Sequence, residues 1–217
     1  MHKSELEQIL MARDWKRLMH WWCGFRGSQR ALLTAQFHPD RLIKWRALEA
    51  LGWICHYIYH QNPPRVRAII RHFLWGMNDE SGNLIWHAPE ALSEIFVRLP
   101  LLIDEYGLIT ASHIEQPAFA RGLLFFLARL SPLNGEIFQE YLKKLSDSLL
   151  EDDEYIRVFS AAAVHNLAPK MLLEHIALFN LDHRIVELYN FRRGTVDQWQ
   201  VSKAVELIML SNYGDYF

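Results

Sequence analysis

The residues best suited to chemistry lie in one short stretch, MNDESGNLIWHAPE, at positions 77–90. Two adjacent carboxylates with a nearby histidine are the residue types that acid–base catalysis and metal binding use. Because they are close neighbours in sequence, however, their side chains need not converge on one ligand. The candidate residues for binding a ligand or a partner are Asp79, Glu80, Trp86, His87 and Glu90.

The same stretch also has the composition of a turn, since Asn, Asp, Ser and Gly are common turn residues. Pro89 leaves two structural alternatives open. It either kinks a helix that starts near Ser81, or it moves the helix start to about His87 or Ala88. In the second case, residues 78–87 form a longer loop that displays the candidate side chains.

Other chemical motifs are weak. His56 and His60 have the spacing of a metal half-site, but no H-E-x-x-H sequence accompanies them. No glycine-rich phosphate loop and no G-x-S-x-G nucleophile turn occurs in the chain. We therefore predict no catalytic residue, no metal and no cofactor.

The charge of the chain is unevenly distributed. Residues 1–72 contain 12 Lys and Arg against 5 Asp and Glu, a net +7, while the rest contain 11 against 20, a net −9. Seven of the eight tryptophans lie at or before residue 86. This end could bind phosphates and stack on bases, or its tryptophans could fill a core beneath solvated arginines. The candidate contacts to an anion or nucleic acid are Arg26, Arg30, Arg41, Lys44, Arg65, Arg67 and Arg71.

The elements that would position these residues are indicated by an internal repeat. Segments beginning near Asp40, Ser81, Gln116 and Asp153 superpose at offsets of 41, 76 and 113 residues from the first. Five positions then coincide at the spacing of one helix face, and 19 of their 20 residues are apolar. About ten would be apolar by chance in a chain of this composition. In the first segment they are Ile43, Ala47, Ala50, Leu51 and Ile54.

The pattern Asp-x-x-Ile-(Lys/Arg)-x-x-x-x-x-Ala-(Leu/Val)-(Gly/His) at 40–52 and 153–165 resembles the HEAT-type repeats of α-solenoids, including those of the phycobilin lyases. The resemblance covers roughly residues 37–170. It implies a right-handed α-solenoid of HEAT/armadillo-like helical pairs, all-α or nearly so. It also implies that Asp40 with Lys44, and Asp153 with Arg157, stabilise neighbouring turns.

A single domain is expected, with N-terminal capping helices at 1–36, about four HEAT-like units at 37–170 and a C-terminal cap at 171–217. Ser4-x-x-Glu7 is a capping-box pattern, which predicts a helix at the start of the chain. Residues 184–201 fit either two short helices or a β-hairpin that turns at Gly194. Prolines at 63–64, 100, 132 and 169 are expected to separate helices, and Asp40 and Asp153 lie where an N-cap carboxylate is expected.

These features predict a non-catalytic scaffold or adaptor that binds a protein partner on its concave face. One alternative is nucleic-acid binding through the basic, tryptophan-rich N-terminal third, since small HEAT-like solenoids are similar in plan to some DNA glycosylases. Another is a small-molecule binder or lyase-like enzyme that uses the 78–87 loop. The two cysteines and the lack of a long apolar run predict a cytoplasmic protein with no membrane span, as a monomer or homodimer.

Overall fold

A computed structural model describes residues 2–78, 84–210 and 214–217. The chain is mostly helical, with one small two-stranded antiparallel sheet near its end. The prediction of a fold that is all-α or nearly so is therefore confirmed. One core cluster runs from Leu6 in the first helix to Phe217 at the end of the sequence. None of the described helices is long and apolar enough to cross a membrane.

The elements follow one another along the chain with short connections. The described α-helices are α1 (His2–Ala12), α2 (Trp15–Gly24), α3 (Ser28–Ala35), α4 (Arg41–Tyr59), α5 (Pro63–Met77), α6 (Ala88–Arg98), α7 (Ile103–Ala111), α8 (Ala120–Asn134), α9 (Leu142–Ser148), α10 (Glu154–Leu167), α11 (Pro169–His175) and α12 (Val201–Met209). The strands are β1 (Ile185–Asn190) and β2 (Thr195–Gln200). Short 3-10 turns occur at Pro100–Leu102, Pro117–Phe119, Glu136–Tyr141 and Ile176–Leu178.

The four repeat segments become helices α4, α6, α8 and α10, which form one row. Each of these helices packs on the next in chain order. The aligned apolar positions are buried except for Leu84, Ile156 and Leu167, which are half-buried. Asp40 and Asp153 cap their helices as predicted, because Asp40 accepts from the Leu42 amide at 2.8 Å and Asp153 from the Tyr155 amide at 3.0 Å.

The implied pairs between the capping aspartates and the basic residue of the same unit do not form. Asp153 instead accepts from the Arg121 Nε of the preceding unit at 2.6 Å. Arg157 forms an ion pair with Asp182 at 3.4 Å. Because the row stacks helices side by side, Arg121 of the preceding helix α8 reaches the Asp153 cap of α10.

Four further helices pack beside the row, α5, α7, α9 and α11. Three of the predicted proline breaks are present, but Pro132 lies inside α8, which continues to Asn134. A helical proline leaves the carbonyl four residues earlier without its amide donor. Here the Asn166 side chain donates to that carbonyl, Ala128 O, at 3.3 Å. This bond from the next helix allows α8 to pass through the proline.

The N-terminal helices differ from the sequence prediction in their bounds. The helix begins at His2, so Ser4 lies inside α1 instead of capping it. Arg13 has φ 53°, and the chain turns there before α2. Asp14 caps α2 by accepting from the Arg17 amide at 2.9 Å. Residues 2–24 thus form two helices, which are joined at Arg13 and Asp14.

The C-terminal region forms the β-hairpin, which confirms one of the two alternatives left by the sequence. Ile185 pairs with Gln200 and Asn190 with Thr195, and the turn contains Gly194 at φ 69°. The hairpin lies against the row, with strand β2 on α4 and β1 on α10. Trp45 stacks on the Tyr189 ring at 5.9 Å. The chain therefore covers this side of the row with its own hairpin.

Candidate functional site

The predicted candidates of the 78–87 loop are only partly described by the structure. Asp79 and Glu80 lie outside the described residues. Trp86 is exposed, and His87 and Glu90 are half-buried at the beginning of α6. Helix α6 begins at Ala88 with Pro89 in its first turn. This confirms the alternative in which Pro89 starts the helix and residues 78–87 precede it.

Trp86, His87 and Glu90 meet two of the predicted basic residues, Arg41 and Lys44, in a pocket of about 250 Å³. The pocket lies at the beginnings of α4, α6, α8 and α10, and Glu187 of β1 closes one side. Sequence analysis placed the two groups of residues in separate candidate sites. The row of helices joins them, because their first turns lie next to one another.

The repeat explains why these particular side chains meet. With the offsets of 41 and 76, Trp45, Trp86 and Arg121 occupy the same position in successive units. Stacked units place equivalent positions side by side. All three side chains line the pocket, together with Phe125 and Phe159 of the last two helices. The shared alignment position of Trp45, Trp86 and Arg121 could therefore have predicted that these side chains lie together.

Two of the three cations in the pocket have partners in the protein. Arg41 forms an ion pair with Glu187 and donates to the Tyr155 hydroxyl at 3.0 Å. The Arg121 guanidinium pairs with Asp153 and lies over the Tyr155 ring, 4.8 Å from its centroid. Both arginines are fixed at the rim by these contacts.

Lys44 differs from the two arginines. Within the described part of the chain, its ammonium has no hydrogen-bond acceptor or ion-pair partner, and it lies 5.4 Å from the Trp45 ring centroid. Burial lowers the pKa of Lys44; the carboxylate of Glu90 raises it, and the charges of Arg41 and Arg121 lower it further. The net shift is downward, so the pocket stabilises the charged form of Lys44 poorly when no anion is bound.

Glu90 faces the pocket from α6, and its side chain is only 13% exposed. One carboxylate oxygen, Oε1, lies 3.2 Å from the His87 Nδ1. The other, Oε2, is buried without a hydrogen-bond partner. A Cβ added at Gly122 would lie 2.6 Å from this oxygen. Because Gly122 has no side chain, the Glu90 carboxylate fits beside it.

The remaining predicted basic residues lie elsewhere on the N-terminal third. Arg26 and Arg30 line a groove of about 570 Å³ with His72. Arg67 is held by Glu105 at 3.0 Å, and Arg65 lies over the Trp22 ring at 5.8 Å. Arg71 is exposed on α5. The seven predicted basic residues therefore form no single surface.

A buried ionic network runs beneath the hairpin, and sequence analysis did not identify it. Glu94 is fully buried and binds Arg98 at 2.7 Å and Arg129 at 2.9 Å. Glu49 binds Arg13 at 2.6 Å and accepts from the Tyr189 hydroxyl at 2.8 Å. Every carboxylate oxygen of this network has a donor, and the network links the row to the hairpin.

Metal binding finds no support among the described residues. They contain no group of three His, Cys, Asp or Glu side chains that could hold an ion. The His56 and His60 rings lie 5.0 Å apart, but the His56 Nδ1 lies 3.0 Å from the Arg98 carbonyl oxygen. This pair is accordingly a ring contact on α4.

Comparison with known proteins gives one distant similarity. The chain is similar to an uncharacterised protein of Archaeoglobus fulgidus, with 23% identity over 164 residues that cover 73% of this chain and 84% of that protein. No family model and no solved structure matches.

Proposed function

We propose that this chain is a HEAT-like helical-repeat module that binds a small organic anion in the pocket at the beginnings of α4, α6, α8 and α10. The stacking of four equivalent helices supports the repeat architecture. The pocket lies where these helices present the positive ends of their dipoles, which favours a negative group. Its volume of about 250 Å³ suits a small ligand.

The observation that carries this proposal is the unpaired ammonium of Lys44. Lys44 is half-buried, and this partial burial disfavours its charged form. Within the described part of the chain no acceptor reaches Lys44, although the neighbouring arginines are both paired. A bound anion would supply the missing partner and would restore the pKa that burial lowers.

The aromatic walls indicate that the ligand also has an apolar part. Trp45, Trp86 and Phe125 line the pocket, and Trp86 is 56% exposed at its rim. Ligand pockets typically combine apolar and aromatic walls with a few charged groups that set orientation. A carboxylate joined to an apolar body fits this combination.

The adaptor function expected from the sequence requires an open inner face on the row. The hairpin covers the side of the row that carries Trp45 and Phe125, because the Phe191 ring lies 6.2 Å from Trp45 and 6.3 Å from Phe125. A protein partner would have to displace these aromatic contacts. The pocket needs no such rearrangement, and for that reason we favour a small ligand.

The test is titration calorimetry with 3-phenylpropionate, a carboxylate on an apolar body. We expect saturable binding to the native chain, and a loss of about tenfold or more in Lys44→Met, because one charge-assisted hydrogen bond is removed. The matched control is Lys143→Met, which changes an exposed lysine on α9. Equal affinity in Lys44→Met and the native chain, or no saturable binding at all, would refute the proposal.

A second candidate, nucleic-acid binding, is favoured by the groove on α3. Arg26 and Arg30 line it with His72, and these arginines form no ion pair with any described residue. Contacts between arginines and phosphates weaken steeply with salt. Fluorescence anisotropy with random duplex DNA should show binding at low ionic strength that Arg30→Gln weakens. If no binding occurs even at low salt, this candidate is excluded.

A further inference from the structure

The pocket is lined by charged groups of both signs, on different helices. Lys44 extends from α4, and Glu90 extends from α6. They do not form an ion pair with each other, although Glu90 is the carboxylate that acts most strongly on Lys44. One ligand with groups of both signs could therefore contact both side chains in this pocket.

Among the described residues, Glu90 has no Lys or Arg partner, and its Oε1 lies 3.2 Å from the His87 Nδ1. Its oxygen Oε2 is buried and has no hydrogen-bond partner. A buried polar atom without a partner is costly, and more so when the group is charged. The other carboxylate at the pocket, Glu187, is already held by Arg41. Glu90 is therefore the carboxylate that remains to receive a positive group from a ligand.

The walls beside Glu90 also suit a cation. Trp86 lies four residues before Glu90 and lines the pocket with Trp45 and Phe125. Aromatic faces attract ammonium groups, and Trp is the most effective of them. Carboxylate and aromatic rings together form a recognisable cradle for a small amine.

We infer that the ligand of this pocket is a small zwitterion with an apolar body, such as an apolar α-amino acid, whose carboxylate binds Lys44 and whose ammonium binds Glu90. This inference rests on the proposed function, because it takes the anion site at Lys44 as given. It adds Glu90 as a second binding group, opposite in charge to Lys44. The ligand is thereby restricted to molecules that carry both an anionic and a cationic group.

Three probes distinguish binding at Lys44 from binding at Glu90. L-phenylalanine has both charged groups, 3-phenylpropionate lacks the ammonium, and 2-phenylethylamine lacks the carboxylate. In calorimetry on the native chain, we expect L-phenylalanine to bind at least about tenfold more tightly than either of the other two. In Glu90→Gln, which preserves side-chain volume, the advantage over 3-phenylpropionate should disappear while 3-phenylpropionate still binds.

The outcomes distinguish this inference from the proposed function. If 3-phenylpropionate binds with a dependence on Lys44 but L-phenylalanine binds no better, the anion site stands and the zwitterion inference is wrong. Binding of none of the three probes would refute both. Retention of the amino-acid preference in Glu90→Gln would also contradict the role of Glu90. Circular dichroism of the variant, unchanged from that of the native chain, shows that the fold is intact.

Discussion

At the residue scale, the most consequential side chains outside the pocket are the buried charges of the row. The offsets of 41 and 76 place Glu94 and Arg129 at the same repeat position, and stacking makes them neighbours at 2.9 Å. Burial alone disfavours the charged form of Glu94, but the charges of Arg129 and Arg98 outweigh it and hold its pKa below the ordinary value of 4.5. The ion pairs therefore keep Glu94 charged inside the protein.

Glu94→Gln should destabilise the fold by about 3–5 kcal/mol, because it leaves Arg129 buried without its counter-charge. A group with a lowered folded pKa contributes stability that is present above its unfolded pKa and lost as pH falls through the folded value. The native chain should thus lose stability below about pH 4.5, and the variant should lose less over that range. Urea unfolding at several pH values measures both effects.

Glu140→Gln is the matched control, since Glu140 is exposed. It should change stability by less than about 0.5 kcal/mol. A loss in Glu94→Gln no larger than in this control would show that the network contributes little.

At the element scale, the row depends on close approach of neighbouring helices. A Cβ at Gly52 of α4 would lie 2.3 Å from the Glu94 carbonyl oxygen of α6. The equivalent positions in the next two units are also small and fully buried, Ser93 and Ala128. Backbone atoms cannot move aside as the end of a flexible side chain can. Small residues at these positions therefore set the distance between neighbouring helices of the row.

Gly52→Ala should therefore destabilise the protein by about 1–3 kcal/mol, in spite of the higher helix propensity of alanine. Thermal unfolding followed by circular dichroism measures the change. Gly24→Ala is the control, because no atom lies within 4 Å of its added Cβ. It should be neutral or slightly stabilising, and a stabilised Gly52→Ala variant would contradict the close approach.

At the scale of the whole molecule, the two ends of the chain are joined across the row. Arg46 of α4 donates to Leu10 O at 3.1 Å and to Gly194 O at 2.7 Å. Arg13 donates to Arg192 O at 3.0 Å. One side chain of the first repeat helix thus holds the N-terminal helices and the hairpin turn together. We expect the N-terminal helices, the row and the hairpin to unfold as one unit.

Labelling with 5-fluorotryptophan tests this expectation by ¹⁹F NMR in urea. Trp199 reports on the hairpin, Trp45 on the row and Trp21 on the N-terminal helices. All three signals should lose their native positions at one urea concentration. Arg46→Met should lower that concentration equally for all three, because it leaves carbonyl groups at both ends without donors. Separate midpoints would indicate that the ends unfold independently.

Much of this architecture followed from the sequence alone. Apolar spacing predicted the row, Asp40 and Asp153 predicted its caps, and Gly194 allowed the hairpin. These features depend on local geometry, since periodicity and capping act over a few residues. Residue type and the position of Pro89, which are also local features, identified Trp86, His87 and Glu90 as candidates.

Only the tertiary structure decided that the hairpin folds back onto the row and that Lys44 and Glu90 share one pocket. The bonds from Arg46 to Gly194 and from Arg13 to Arg192 join residues that no local pattern connects. Such contacts depend on the shape and unsatisfied polar groups of surfaces that exist only after the helices have stacked. The sequence thus determined the helices and the order in which they stack, whereas packing between distant segments determined the site.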